Sequence, residues 1–169
     1  MGLFTPDVKN LSELYKTKLQ RALNMEKQIV EKGLPAMIEK STNPQLAEAF
    51  RTHLEESRQH VARLERILNE VEGEENESKC KVASALISSA ESDISDASDP
   101  ILRDVVLIAA GNDVEHHEMA VYGTLRAWAE ALGETEHAAV FEKTLDEEKA
   151  ADKKLDSLAA QINVEAPVA

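Results

Sequence analysis

Acidic side chains recur in this sequence where a helical core should be apolar. A ladder of alternating three- and four-residue steps marks the side of a helix that faces its neighbours. On the first long helical pattern the ladder reads Tyr15, Leu19, Ala22, Glu26, Ile29, Gly33, and on the second Ala49, His53, Glu56, His60, Ile67. Two later patterns read Ile108, Gly111, Glu115, Glu118, Tyr122, Leu125, Ala129, Leu132, and Phe141, Leu145, Glu148, Asp152, Leu155, Ala159, Ile162. Each long pattern sets acid near its middle. A buried carboxylate without a counter-charge is costly, and several together repel one another as well. Arg63 is the one basic side chain close to these ladders. Either the acids are protonated or cations sit among them. Glu26, Glu56, Glu115, Glu118, Glu148 and Asp152, with His60 and a further imidazole, could neutralise two metal ions.

Spacing gives a second, independent hint. Thirty residues separate Glu26 from Glu56, and thirty separate Glu118 from Glu148; His60 follows Glu56 by four, and Asp152 follows Glu148 by four. Residues four apart share a helix face. Each half of the chain would then give one carboxylate from its first helix, and a carboxylate plus a second ligand from its next. The expected result is a pseudo-two-fold dimetal cage, with Glu115 as an additional acid. Glu56 and one of Glu115 or Glu118 would bridge, Glu26 and Glu148 would terminate, and His60 and Asp152 would complete each metal. Oxygen with some nitrogen suits iron or manganese, and leaves zinc open.

The elements that must position these groups are long helices. Thr5-Pro6, Asn43-Pro44 and Asp99-Pro100 each pair a capping side chain with a proline that loses only an unpaired N–H at a first helical position. Helices are expected over about 6–40, with Gly33 and Pro35 as a weak point, and from Pro44 to the polar Glu72–Glu77 stretch. A shorter amphipathic crossover follows over about 79–97. Two more helices run from Pro100 to Leu132, closed by Gly133, and from Glu134 through Ile162, before a short tail at 164–169. Two hairpins joined by a long crossover are expected to form an all-α, ferritin-like four-helix bundle in a single domain of 169 residues.

Composition supports that class and removes others. Gly (6), Pro (5) and the aromatics (Phe 3, Tyr 2, Trp 1) are scarce, which disfavours a sandwich or barrel. A net charge of −13 repels phosphate backbones and anionic lipid, so neither nucleic acid nor membrane is an expected partner. The single Cys80 cannot form an intramolecular disulfide; a reducing, cytoplasmic setting is expected, and the first residues carry no secretory signal pattern.

Several motifs in one order carry a resemblance. Leu14-Tyr15, Met25-Glu26-Lys27-Gln28, His53-Leu54-Glu55-Glu56, Val114-Glu115-His116-His117-Glu118 followed by Tyr122-Gly123-Thr124-Leu125, and Leu145-Asp146-Glu147-Glu148-Lys149-Ala150-Ala151-Asp152 span nearly the whole chain. In these the sequence is similar to the YciE/YciF family of bacterial ferritin-like proteins. The resemblance implies a bundle with an extra crossover helix, related to rubrerythrin, with a di-iron site, a homodimer and an association with stress responses. It implies no established reaction and names no redox partner. The chain departs from the usual Glu-x-x-His pattern of ferritins and rubrerythrins, since Gln59 and Ala151 stand three residues after Glu56 and Glu148.

Other residues have blander readings. His53 is expected as a ligand or as support behind one, while His116 and His117 lie off the ladder, at the surface or an interface. His137 opens the last helix and is expected in solvent, and Glu55 and Glu147 to face outward. Tyr15 and Tyr122 share the acidic face as core residues or as donors of hydrogen bonds or electrons. The functional expectation is a dimetal-carboxylate protein with O₂ or peroxide chemistry; a non-catalytic metal-stabilised protein and iron storage are the alternatives.

Overall fold

The structure, a computed structural model, describes residues 8–72 and 78–168. Its elements are α1 (Leu11–Gln28), a π-helical turn (Ile29–Gly33), α2 (Leu34–Lys40), α3 (Pro44–Glu72), α4 (Lys81–Asp96), α5 (Pro100–Leu132), α6 (Thr135–Ile162) and a short 3₁₀ turn (Asn163–Glu165). No strand occurs among the described residues.

Capping chemistry explains where the helices begin. Asn43 Oδ1 accepts from the N–H groups of Gln45 and Leu46 at 2.9 and 3.2 Å, and Asp99 Oδ1 from those of Ile101 and Leu102 at 2.8 and 3.0 Å. Two of the three proline starts are therefore capped as expected. The third, Thr5-Pro6, lies outside the described residues, and the first helix begins later than expected. Val8 to Asn10 are non-helical, and the cap is Asn10, whose Oδ1 accepts from Glu13 N–H at 2.9 Å. Glu13 in turn accepts from Lys9 N–H at 2.8 Å, tying down the entering chain. At the other hairpin, Gly133 closes α5 with φ 81°, a left-handed conformation that glycine adopts without a Cβ penalty.

The weak point in the first arm is a widened turn. Pro35 has no N–H, and its ring crowds the carbonyl four residues back. The Leu34 N–H accordingly reaches Ile29 O, five residues back, and the helix resumes as α2. Such turns are frequent at functional sites, and this one follows Glu26 directly.

The long helices surround one core in the order α1, α3, α6, α5, with α4 laid across α1, the π turn and α5. This is the ferritin-like bundle with one long crossover. Leu19, Leu23, Met25, Leu46, Leu64, Ile67, Leu68, Leu107 and Leu125 are fully buried along its axis. Gly111 allows the closest approach: a Cβ there would stand 2.7 Å from Leu155 Cδ1 and 3.4 Å from Phe50 Cε1. The missing methyl brings α3 and α6 against α5 one turn before Glu115. No described helix is long and apolar enough to cross a membrane.

Candidate metal centre

Four helices converge on one buried acidic cluster. Glu26 comes from α1, His53 and His60 from α3, Glu115 and Glu118 from α5, and Glu148 from α6, and all six are buried. Their ligand-capable atoms fall into two groups: His53, Glu115, Glu118 and Glu148 in one, and Glu26, His60 and Glu148 in the other. Within each group these atoms lie within 4.8 Å of one another. Glu148 belongs to both.

Geometry fixes how the imidazoles are held. His60 Nε2 is 3.0 Å from Glu147 Oε2, and a carboxylate can only accept, so Nε2 carries the proton. In the neutral ring Nδ1 then has a free lone pair, aimed inward at 3.0 Å from Glu148 Oε1 and 3.5 Å from Glu26 Oε1. Metal-ligating histidines characteristically donate their other N–H to a carboxylate in this way. Arg63 grips the same Glu147 through two hydrogen bonds and adds one to Thr144 Oγ1 at 2.9 Å. His53 Nε2 lies 3.2 Å from Glu115 Oε1 and 3.7 Å from Glu148 Oε2. Tyr122 donates a short hydrogen bond to Glu26 Oε1.

The decisive feature is what lacks a partner. Glu26 Oε2, both ring nitrogens of His53, His60 Nδ1, Glu115 Oε2 and both carboxylate oxygens of Glu118 and Glu148 are buried without a hydrogen bond. Buried polar atoms in proteins are normally paired, and each orphan needs an explanation. Burial first, then the charges of Glu148 and Glu26, pushes Glu118 well above the usual carboxylate range. Burial raises Glu115 to about 8 despite the opposing pull of His53, and raises Glu148 as well. Burial alone would lower the histidines, but the carboxylates around them outweigh it: His53 rises to about 9 through Glu56, Glu115 and Glu148, and His60 to about 10 through Glu148 and Glu26. The cluster holds protons where cations would serve. Its oxygen-rich donor set with one imidazole in each group fits two metal ions.

Comparison with known proteins agrees over the same span. A model of the family described as "Domain of unknown function (DUF892)" matches residues 10–166. The chain belongs to the DUF892 family. Within that family it is similar to protein YciF of Escherichia coli strain K12, 36% identical over 157 residues that cover 90% of this chain and 92% of YciF. Among solved structures, the E. coli stress protein YciF superposes with a TM-score of 0.87 at 32% identity, covering 94% of this chain and all of the other. YcfI from Rhodopseudomonas palustris superposes with a TM-score of 0.87 at 33% identity, covering 91% and 98% of the two chains.

In this DUF892 chain the other expected ligands stand apart from the two groups. Between His53 and His60 the buried position is Ser57, not Glu56, because the helix takes a four-residue step first. Glu56 is turned to the rim, its side chain 40% exposed and Oε2 3.6 Å from His53 Nδ1. It lines a pocket of about 230 Å³ with His53, Glu115, Ala150 and Lys154. Asp152, one turn beyond Glu148, sits 3.1 Å from Nε2 of the exposed His116.

Three placements correct the sequence reading. Glu147 faces inward to Arg63 and His60, and the isolated Arg63 beside the ladder was the signal for it. His137 is buried, 2.9 Å from Glu70 and 3.1 Å from Tyr15. Ser57, with a buried unpartnered hydroxyl, had no signal beyond its register.

Proposed function

We propose that this chain is a dimetal-carboxylate protein whose bundle core holds two iron ions, with manganese or zinc as the competing metals. The observation that carries this reading is the set of unpartnered buried oxygens and nitrogens on Glu26, His53, His60, Glu115, Glu118 and Glu148. Glu148, common to both groups, would serve both ions. Glu115, Glu118 and His53 would serve one ion, and Glu26 and His60 the other. Glu56 and Asp152 would join only by turning inward, Glu56 from the mouth of the pocket beside His53. A pair of reduced iron ions supplies two electrons to O₂ or peroxide. The chain's own part is to exclude water, to fix through Glu147 the His60 tautomer whose Nδ1 lone pair faces the cluster, and to keep Tyr122 bonded to Glu26. Chemistry of this kind accords with the designation of the E. coli relative as a stress protein. A homodimer in a reducing, cytoplasmic setting belongs to the same reading, and sizing the native protein tests the dimer against a many-subunit storage cage.

A second reading is a structural protein stabilised by metal, in keeping with the provisional structural role in the description of YcfI. Elemental analysis with anomalous scattering counts and identifies the ions. Peroxide-dependent oxidation of the ferrous protein, compared with free iron, then separates the two. Two bound ions with turnover above free iron supports the redox reading; bound metal without turnover leaves the structural one.

A further inference from the structure

Beside the acidic cluster runs a hydrogen-bonded chain that the metal site does not use. Tyr15, 2% exposed on α1, has its hydroxyl 3.1 Å from Nδ1 of His137, itself buried on α6. Nε2 of His137 lies 2.9 Å from Oε2 of Glu70, on α3, whose side chain is 47% exposed. The carboxylate can only accept, so Nε2 bears the proton, Nδ1 of the neutral ring is the acceptor, and the tyrosine donates to it. A buried phenol is thereby connected through one imidazole to a carboxylate in solvent. Glu134, 3.8 Å from Nδ1, and Arg66, 3.9 Å from Glu70, are further charges among the described residues at this end.

The rings continue inward. Tyr15 and Phe141 have centroids 6.4 Å apart, Phe141 and Tyr122 6.3 Å, Tyr122 and His60 6.0 Å, and His60 and His53 6.4 Å. The whole chain has six Phe, Tyr and Trp residues, and three of them stand in this one row between the surface relay and the acidic cluster.

We propose that Tyr15 is a redox-active tyrosine that gives one electron to the buried acidic centre, while His137 accepts its proton and Glu70 passes it to solvent. This rests on the dimetal reading above. Peroxide needs two electrons and two protons to become two waters. When the centre has only one electron to give, Tyr15 supplies the other: its O–H bond breaks, the electron passes along the ring row, and the proton moves to His137 Nδ1. His137 releases its Nε2 proton to Glu70, and solvent supplies the two protons for water. A one-electron reductant such as a thiol restores the tyrosine. Without this second electron, peroxide and one ferrous ion would release hydroxyl radical. Burial, with Glu134 and Glu70, holds the Tyr15 phenol well above its ordinary range, so it stays protonated and its electron and proton must leave together.

The test uses the full chain loaded with a single equivalent of ferrous iron, mixed with hydrogen peroxide and freeze-quenched for electron paramagnetic resonance. Only two tyrosines exist in the sequence, so assignment is direct. A tyrosyl radical is expected in the wild type, with loss of the signal and more spin-trapped hydroxyl radical in Tyr15→Phe. His137→Gln should slow radical formation about 100-fold, the scale of a lost general base. A parallel arm oxidises the metal-free protein with a flash-generated ruthenium oxidant. It decides Tyr15 whether or not metal binds, so failure of the metal reading is told apart from failure of this one. An equal radical yield in Tyr15→Phe, no radical in the wild type in either arm, or an unchanged rate in folded His137→Gln overturns the proposal.

Discussion

Two buried carboxylates on α5 are treated in opposite ways. Asp104, 2% exposed near the start of the helix, accepts from the N–H groups of Thr42 and Asn43 at 2.8 Å each and from the Thr42 hydroxyl. Glu118, fully buried four turns later, has no hydrogen bond to either oxygen. Burial of an acid therefore needs no metal where donors converge, and the loop between α2 and α3 brings the donors to Asp104. Around Glu118 the neighbours are Glu26, Glu115 and Glu148, which add charge of the same sign, and His53, which makes no hydrogen bond to it. The contrast separates an acid held by donors from one placed where a cation could be held.

Metal loading should break the symmetry between these acids most strongly. Ligand binding at about a thousand times its dissociation constant stabilises a folded chain by about 4 kcal/mol. Thermal melts with Fe²⁺ or Mn²⁺ should show a shift of that order in the wild type. Glu148→Gln keeps the side chain's shape but removes the charge common to both groups. It should cut bound metal from two ions to at most one, while leaving the metal-free protein at least as stable, since like charges are relieved. A variant that still binds two ions would remove Glu148 from its bridging position.

The pH dependence has a sign that loading should reverse. A folded state that retains protons the unfolded chain has already released loses stability as pH rises. Glu115 is raised from 4.5 to about 8, and His53 and His60 are raised from 6.5 to about 9 and about 10. All three act in the same direction, so the metal-free protein should be most resistant to urea near pH 5 and lose resistance steadily toward pH 10. Loading displaces those protons, so metal affinity should rise across the same window. Urea midpoints with and without metal at both ends of the window check the crossing of the two trends.

Much of this was legible from sequence because helices with strong periodicity and explicit caps leave little freedom. Pro44, Pro100 and Gly133 marked ends that the structure places at the same residues. Glu26, Glu115, Glu118 and Glu148 fall on the predicted ladders and meet. What was hidden depended on half a residue of register or on partners from other helices. Between His53 and His60 a ladder admits either Glu56 or Ser57, and only the packing of α3 against its neighbours chooses. His137 is polar at a helix start, where solvent is the natural expectation, until Tyr15 and Glu70 arrive from α1 and α3. The late start of α1 has a local cause, since Asn10 with Glu13 offers a complete cap.

Replacing the paired acid tests the other side of the comparison. Asp104→Ala leaves Thr42 N–H and Asn43 N–H without their acceptor, and hydrogen bonds to a charged group carry about 1.5–3 kcal/mol each. Solvent reaches part of that loop, so a total loss of about 3 kcal/mol is expected in urea unfolding, with bound metal unchanged at two ions. A fall in metal content at constant fold would mean that the two acids belong to one network after all.

The smallest effect is expected one step away from the cluster. Glu147 touches neither group of ligand-capable atoms; it accepts the Nε2 proton of His60 and is fixed by Arg63. Glu147→Gln can still accept through its amide oxygen, but it no longer carries the charge that pulls on that proton. Losing such outer support costs about 10- to 100-fold in metal affinity, which is about 1.4–2.7 kcal/mol. Isothermal titration should find this weakening at the ion served by His60 and little change at the ion served by His53. The charge lost is also one that Arg63 pairs with, so Arg63→Gln should weaken the same ion and no other. Equal weakening of both ions would mean that Glu147 acts through the net charge of the cluster rather than through the tautomer of His60.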